Sequence, residues 1–149
     1  MKNVYDAACA AELRSRILAL RADSPRQWGK MDVAQAMAHC AVALEMALGE
    51  RKLKRALVGR LIGGFVKRRI VSNDAPFGRN APTDPALVMR TPRELDVERQ
   101  KLLALMHRFA SDPAQATTHP HSFFGPMTAA EWAILQYKHL DHHLRQFGA

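Results

Sequence analysis

Residues 137–149 read YKHLDHHLRQFGA, and the rest of the chain takes its meaning from this stretch. His139 and His143 are four apart, so on a helix they project one turn apart from the same face. His142, three beyond His139, flanks that face. Two neutral imidazoles at this spacing are half of a site for a divalent transition metal. The other half must come from another segment, and His39 is the candidate. Its neighbours on a helical wheel, Gln35, Val42, Ala43 and Met46, are mainly apolar or small, which turns the imidazole inward. Bundle interiors are where facing helices build metal sites. A solvated or hydrogen-bonded pair is the commoner fate of two histidines on one helix. The clustering of three of the seven histidines within five residues favours the metal, with His39, His139 and His143 as ligands.

The remaining candidates divide by position. Gln146 and Gln35 lie on the ligand faces and are expected to hydrogen-bond the outer nitrogens of the imidazoles. Asp141 falls off the histidine stripe and reads as a surface residue. Arg145 and Lys138 could draw an anionic substrate to the helix end, although solvated surface charge is their simpler role. His119 and His121 precede the last helix and read as loop residues, and His107 as an exposed helical one. Cys40, about 100° round the helix from His39, reads as a small core side chain rather than a nucleophile.

Outward from this stretch, every periodic segment is helical. The first helix is expected from about Asn3–Tyr5 to Arg21, with Ala8, Ala11, Leu13, Ile17, Leu18 and Leu20 as its apolar positions. Pro25 stops it, and Trp28 in the following loop is expected to cover one end of the molecule. Asp32 caps a second helix that runs to Leu48 and is ended by Gly49. Leu53, Leu57, Leu61 and Phe65 then recur every four residues, but Gly63-Gly64 interrupts, so one broken helix or two short ones are expected from Lys54 to Ile70. The proline-rich connection Ser72–Pro85 is long for a compact chain, which suggests that it covers something functional. Thr91-Pro92-Arg93-Glu94 reads as a capped helix start, with Leu95, Leu102, Met106 and Phe109 on one stripe. Thr128-Ala129-Ala130-Glu131 is a second capping box and opens the final helix, whose apolar face is Ala133, Tyr137, Leu140, Leu144 and Phe147. No strand alternation occurs. The expected architecture is an all-α bundle of four main helices plus a basic excursion, in one domain spanning residues 1–149.

The totals fit that reading. With 149 residues, 48% of them hydrophobic, the chain can bury a core without staples. No signal peptide or membrane-spanning run is evident, and Cys9 and Cys40 make no disulfide framework, so a reducing cytoplasm is the expected compartment. The net charge of +8 is local. Residues 51–69 hold eight cations and no acid, and without them the remaining 14 basic residues match the 14 acidic ones.

The motifs WGKM (Trp28–Met31), AQAMAHC (Ala34–Cys40), HSFFGPMTAAEW (His121–Trp132) and YKHLDHHLRQFGA (Tyr137–Ala149) resemble the DinB/YfiT-like superfamily over essentially the whole chain. The H-x-x-x-H of the last helix with a histidine in the second is the most specific part. The resemblance implies an up-down-down-up four-helix bundle with a divalent metal held by His39, His139 and His143. It further implies thiol chemistry, since relatives include thiol-dependent S-transferases and a mycothiol-dependent isomerase. The basic segment and the proline-rich connection exceed a minimal bundle of this kind.

Three functions compete at this point. The first is a metal-dependent enzyme, a thiol S-transferase or a hydrolase, with a small-molecule substrate, a zinc, nickel or iron ion and a low-molecular-weight thiol. Three imidazoles leave coordination positions open for such chemistry. The second is a binding module that docks residues 51–69 on an anionic partner, nucleic acid or membrane. Against it, the segment lacks a clean amphipathic stripe and carries no recognised nucleic-acid motif. The third is a non-catalytic stress-response domain with a vestigial site. A homodimer is compatible with any of them.

Overall fold

The computed structural model describes residues 1–81 and 83–149. It is all-helical, with α1 (Ala7–Ala19), α2 (Val33–Ala47), α3 (Leu57–Val71), α4 (Leu95–Ser111) and α5 (Ala129–Gln146). Two 3-10 turns, Pro85–Leu87 and Pro113–Gln115, complete the regular structure. The described residues form no strand beyond an isolated bridge between His121 and Gly125.

Helix ends follow local chemistry. Asp32 and Gln35 form a reciprocal capping box at the start of α2, and Thr128 and Glu131 do the same for α5. Gly49, at a φ of 77°, closes α2 in the left-handed conformation that only glycine adopts cheaply. α1 begins later than its composition suggests. The Asn3 side chain accepts from the amides of Tyr5 and Asp6, and Asp6 in turn caps the helix through the Cys9 amide. The expected start of α4 at Thr91 is not realised. The Thr91 carbonyl receives the Gln35 side-chain amide from α2, and the helix starts at Leu95. That contact also removes Gln35 from the role expected of it beside the histidines.

The core lies between α1, α2, α4 and α5. Leu13 and Ile17 of α1, Met37 and Leu44 of α2, Leu102 and Phe109 of α4, and Trp132, Leu140 and Leu144 of α5 are essentially inaccessible. Ala8, Ala11 and Leu18, expected on the inner face of α1, are exposed. α2 is apolar nearly all round and twelve of its fifteen residues are buried, as befits a helix packed on several sides. α4 and α5 both pack on α2, so the two histidine-bearing helices are neighbours.

α3 is one unbroken helix; Gly63-Gly64 does not interrupt it. Glycine is needed at Gly59 and Gly63 for packing, because a methyl at either would stand 2.5 or 2.0 Å from the Phe123 carbonyl oxygen. The backbone of α3 thus lies against the loop before α5. Lys67 ties it further to the Pro126 carbonyl and to Glu131.

Candidate metal centre

His39 projects from the middle of α2, and His139 and His143 project from successive turns of α5. One ring nitrogen from each lies within 4.8 Å of the others, close enough to hold a metal ion. The closest approach is between the Nε2 atoms of His39 and His139, at 2.8 Å.

Outer contacts set which nitrogens are free. His39 Nδ1 lies 2.7 Å from the Leu87 carbonyl oxygen. A carbonyl only accepts, so Nδ1 carries the proton and the Nε2 lone pair faces His139. His143 Nδ1 lies 2.8 Å from Gln146 Oε1, and Gln146 Nε2 donates to the Trp28 carbonyl at 2.8 Å. The second bond orients the amide so that its oxygen receives the proton of His143 Nδ1, leaving Nε2 bare. Gln146 therefore has the role expected from its place on the helix. His139 Nδ1 is buried without a hydrogen-bond partner.

Burial keeps the three imidazoles neutral, which is the form that ligates. Desolvation lowers the pKa of His143 to about 3, reinforced by His39 and opposed by Gln146. Desolvation likewise lowers His139 well below the usual histidine value, with His39, His143 and His142 acting in the same direction. His39 is lowered by burial, against the opposing effect of its bond to Leu87. A cluster of three uncharged nitrogen donors this close could hold a divalent metal ion.

The proline-rich connection reaches this site, as its length suggests. It leads into the 3-10 turn that presents the Leu87 carbonyl, and it places Phe77 6.1 Å from the His142 ring. The Trp28 ring lies 5.5 Å from the His142 ring and carries the Arg79 guanidinium on its face at 4.4 Å. The part played by the Leu87 carbonyl, and the meeting of Trp28 with Phe77 and Arg79 around His142, have no signature in residue type. A backbone acceptor has no side-chain signature, and a rim drawn from two loops has no period.

Other expectations require correction. Asp141 is buried, not on the surface, and binds Arg16 and Arg145, each at 2.8 Å. Lys138 is also buried; its ammonium donates to the carbonyls of Ile70 and Asn73 at 2.8 and 2.9 Å. Neither Lys138 nor Arg145 is a free cation beside the three histidines. His121 is more than a loop residue. Its Nδ1 accepts from the amides of Phe123 and Phe124, its ring packs 5.3 Å from Trp132, and burial lowers its pKa to about 4. His107 is exposed, as expected. Cys40 is a buried core residue whose thiol burial pushes far up, so it is no nucleophile.

No curated protein and no solved structure matches this chain. A family model matches residues 5–149, nearly the whole length. The chain belongs to the family described as "Protein of unknown function (DUF1569)".

Proposed function

We propose that this protein is a metal-dependent enzyme in which His39, His139 and His143 hold a divalent ion, and that it acts as a thiol-dependent S-transferase or a hydrolase. The observation that carries the proposal is the convergence of three neutral imidazole nitrogens, two of them with their opposite nitrogens already engaged by Leu87 and Gln146. Such anchoring of ligand histidines is how proteins fix ring orientation around a metal. A divalent ion held by three protein ligands keeps open coordination positions and supplies Lewis acidity, lowering the pKa of a thiol or water it receives.

The chain's own residues do the rest. Cys40 is sealed in the core and Cys9 sits on α1, which carries none of the three histidines, so in this reading the sulfur of an S-transfer is that of a small-molecule thiol. Arg79, exposed and stacked on Trp28 at the rim, is the cation placed to receive an anionic group of such a substrate. In the transfer a carbon–sulfur bond forms as the leaving group departs with its electron pair; in hydrolysis water takes the place of the thiol.

The same proposal extends to the fold. We assign α1, α2, α4 and α5 to the up-down-down-up bundle of the DinB/YfiT-like superfamily, in one domain spanning residues 1–149. The long connection from Ala47 to Leu95 supports this, because neighbouring helices that run parallel need a crossover, and α3 lies within it. Thiol-conjugation and hydrolysis assays on the metal-loaded and chelator-treated protein test the activity. Turnover that depends on added metal and is abolished in His139→Ala/His143→Ala is expected. Metal bound without turnover of any thiol acceptor or ester would remove the enzymatic reading and leave only the site.

A further inference from the structure

α3 is amphipathic in an inverted sense. Its inward face is Gly59 and Gly63, and its outward pole is a ridge of large apolar side chains. Leu57, Leu61 and Phe65, successive at four-residue intervals, are 76%, 86% and 68% exposed, with Val58 and Ile62 beside them at 59% and 48%. A contiguous apolar ridge of this kind marks a surface that meets something other than water. The glycines make the arrangement obligatory. They bring the helix backbone so close to Phe123 that no side chain fits between, so rotating the ridge inward would place leucine where only hydrogen fits.

Charge identifies what the ridge meets. Lys52 and Lys54 precede the ridge in the chain and Arg60, Arg68 and Arg69 lie on the same helix; all five are exposed and form no ion pair among the described residues. No acid lies between residues 51 and 69. We propose that α3 docks on the surface of an anionic phospholipid bilayer, with the Leu57–Leu61–Phe65 ridge in the acyl boundary and the flanking cations at the headgroup phosphates. This is the chemistry of an interfacial helix, apolar on one face with lysine and arginine beside it. No described helix is long and apolar enough to cross a membrane, so the contact is peripheral. A second copy fits less well, because a two-fold interface would set each ridge and its cations against the same cations of its partner. A nucleic acid fits less well, because phosphates need a run of cations at the outward pole, where leucine and phenylalanine stand with Arg68 as the cation among them. The inference does not depend on the metal reading.

Cosedimentation of the full-length protein with large vesicles tests it. Partition onto mixed phosphatidylglycerol–phosphatidylcholine vesicles, weak partition onto phosphatidylcholine alone, and weakening by salt are expected. Arg68→Gln/Arg69→Gln should lower partition roughly 25-fold, at about fivefold for each cation. Leu61→Asp/Phe65→Asp should lower it by on the order of a hundredfold, through loss of buried apolar area. Val97→Asp, on the exposed face of α4, should leave it unchanged. Helical circular dichroism identifies any ridge variant that misfolds, and Leu61→Ser/Phe65→Ser then takes its place. Wild-type protein that ignores mixed vesicles, or ridge variants that partition like wild type, would overturn the proposal. A stable dimer dissociated by Leu61→Asp/Phe65→Asp, or duplex DNA binding that survives it, would reassign the surface to a second copy or to nucleic acid.

Discussion

The imidazoles of His39 and His139 meet Nε2 to Nε2 at 2.8 Å, although one hundred residues separate them in the chain. Because His39 Nδ1 is committed to the Leu87 carbonyl, the His39 nitrogen in this contact is a lone pair. The facing His139 nitrogen either donates a proton across this contact or, without that proton, presents a second lone pair that only a cation can bridge. With His143 alongside, a divalent cation satisfies all three rings at once. Removing the rings should therefore remove the metal. In His139→Ala/His143→Ala, and separately in His39→Ala, elemental analysis of the purified protein should find bound transition metal reduced to background.

The partner of His143 offers a subtler test. Gln146→Leu keeps the bulk of the side chain but deletes the acceptor for His143 Nδ1 and the donor to Trp28. Loss of such an outer partner lowers metal affinity by about 10- to 100-fold. Competition against a chromophoric chelator should show that loss while helical circular dichroism stays unchanged. An affinity equal to wild type would mean that Gln146 does not orient the ring.

The buried histidines also predict an acid-sensitive apoprotein. His143 has a pKa of about 3 when folded, and His39 and His139 are lowered too, whereas an unfolded histidine titrates near 6.5. Below that value the unfolded chain binds protons that the folded one refuses, so stability is full above about pH 6.5 and is lost as pH falls toward the folded values. Each such histidine contributes a slope of up to about 1.4 kcal/mol per pH unit within that window. Urea unfolding midpoints of chelator-treated protein should fall between pH 7.5 and pH 5. The fall should be shallower in His143→Gln.

Two neighbouring glycines of α3 should respond oppositely to alanine. At Gly63 the added methyl would meet the Phe123 carbonyl oxygen at 2.0 Å, so α3 must lift from its seat, at a cost of about 1–3 kcal/mol. At Gly64 no atom lies within 4 Å, and alanine in an exposed helix interior gains up to about 1 kcal/mol over glycine. Thermal unfolding should show a lowered midpoint for Gly63→Ala and a raised one for Gly64→Ala. The same sign for both would contradict the packing of α3 on residues 122–124.

Features that depend on neighbours within a turn or so can be read from the order of residues. The capping boxes at Asp32 and Thr128, the glycine that ends α2, the inward face around His39 and the paired faces of α5 were all legible, because period and capping are local. Local signals also misled where a distant group intervened. Thr91 has the pattern of a helix cap but its carbonyl is taken by Gln35 of α2, and the glycines of α3 look like a break but are a packing surface against Phe123. Asp141 and Lys138 read as surface charges because their partners, Arg16 from α1 and the carbonyls of Ile70 and Asn73, are remote in the chain. The meeting of His39 with His139, the tautomer set by Leu87 and the outward turn of the α3 ridge became visible only in the folded chain. Each of these turns on which backbone or side chain lies opposite a face, and that is set by long-range packing, which no short pattern of residues encodes.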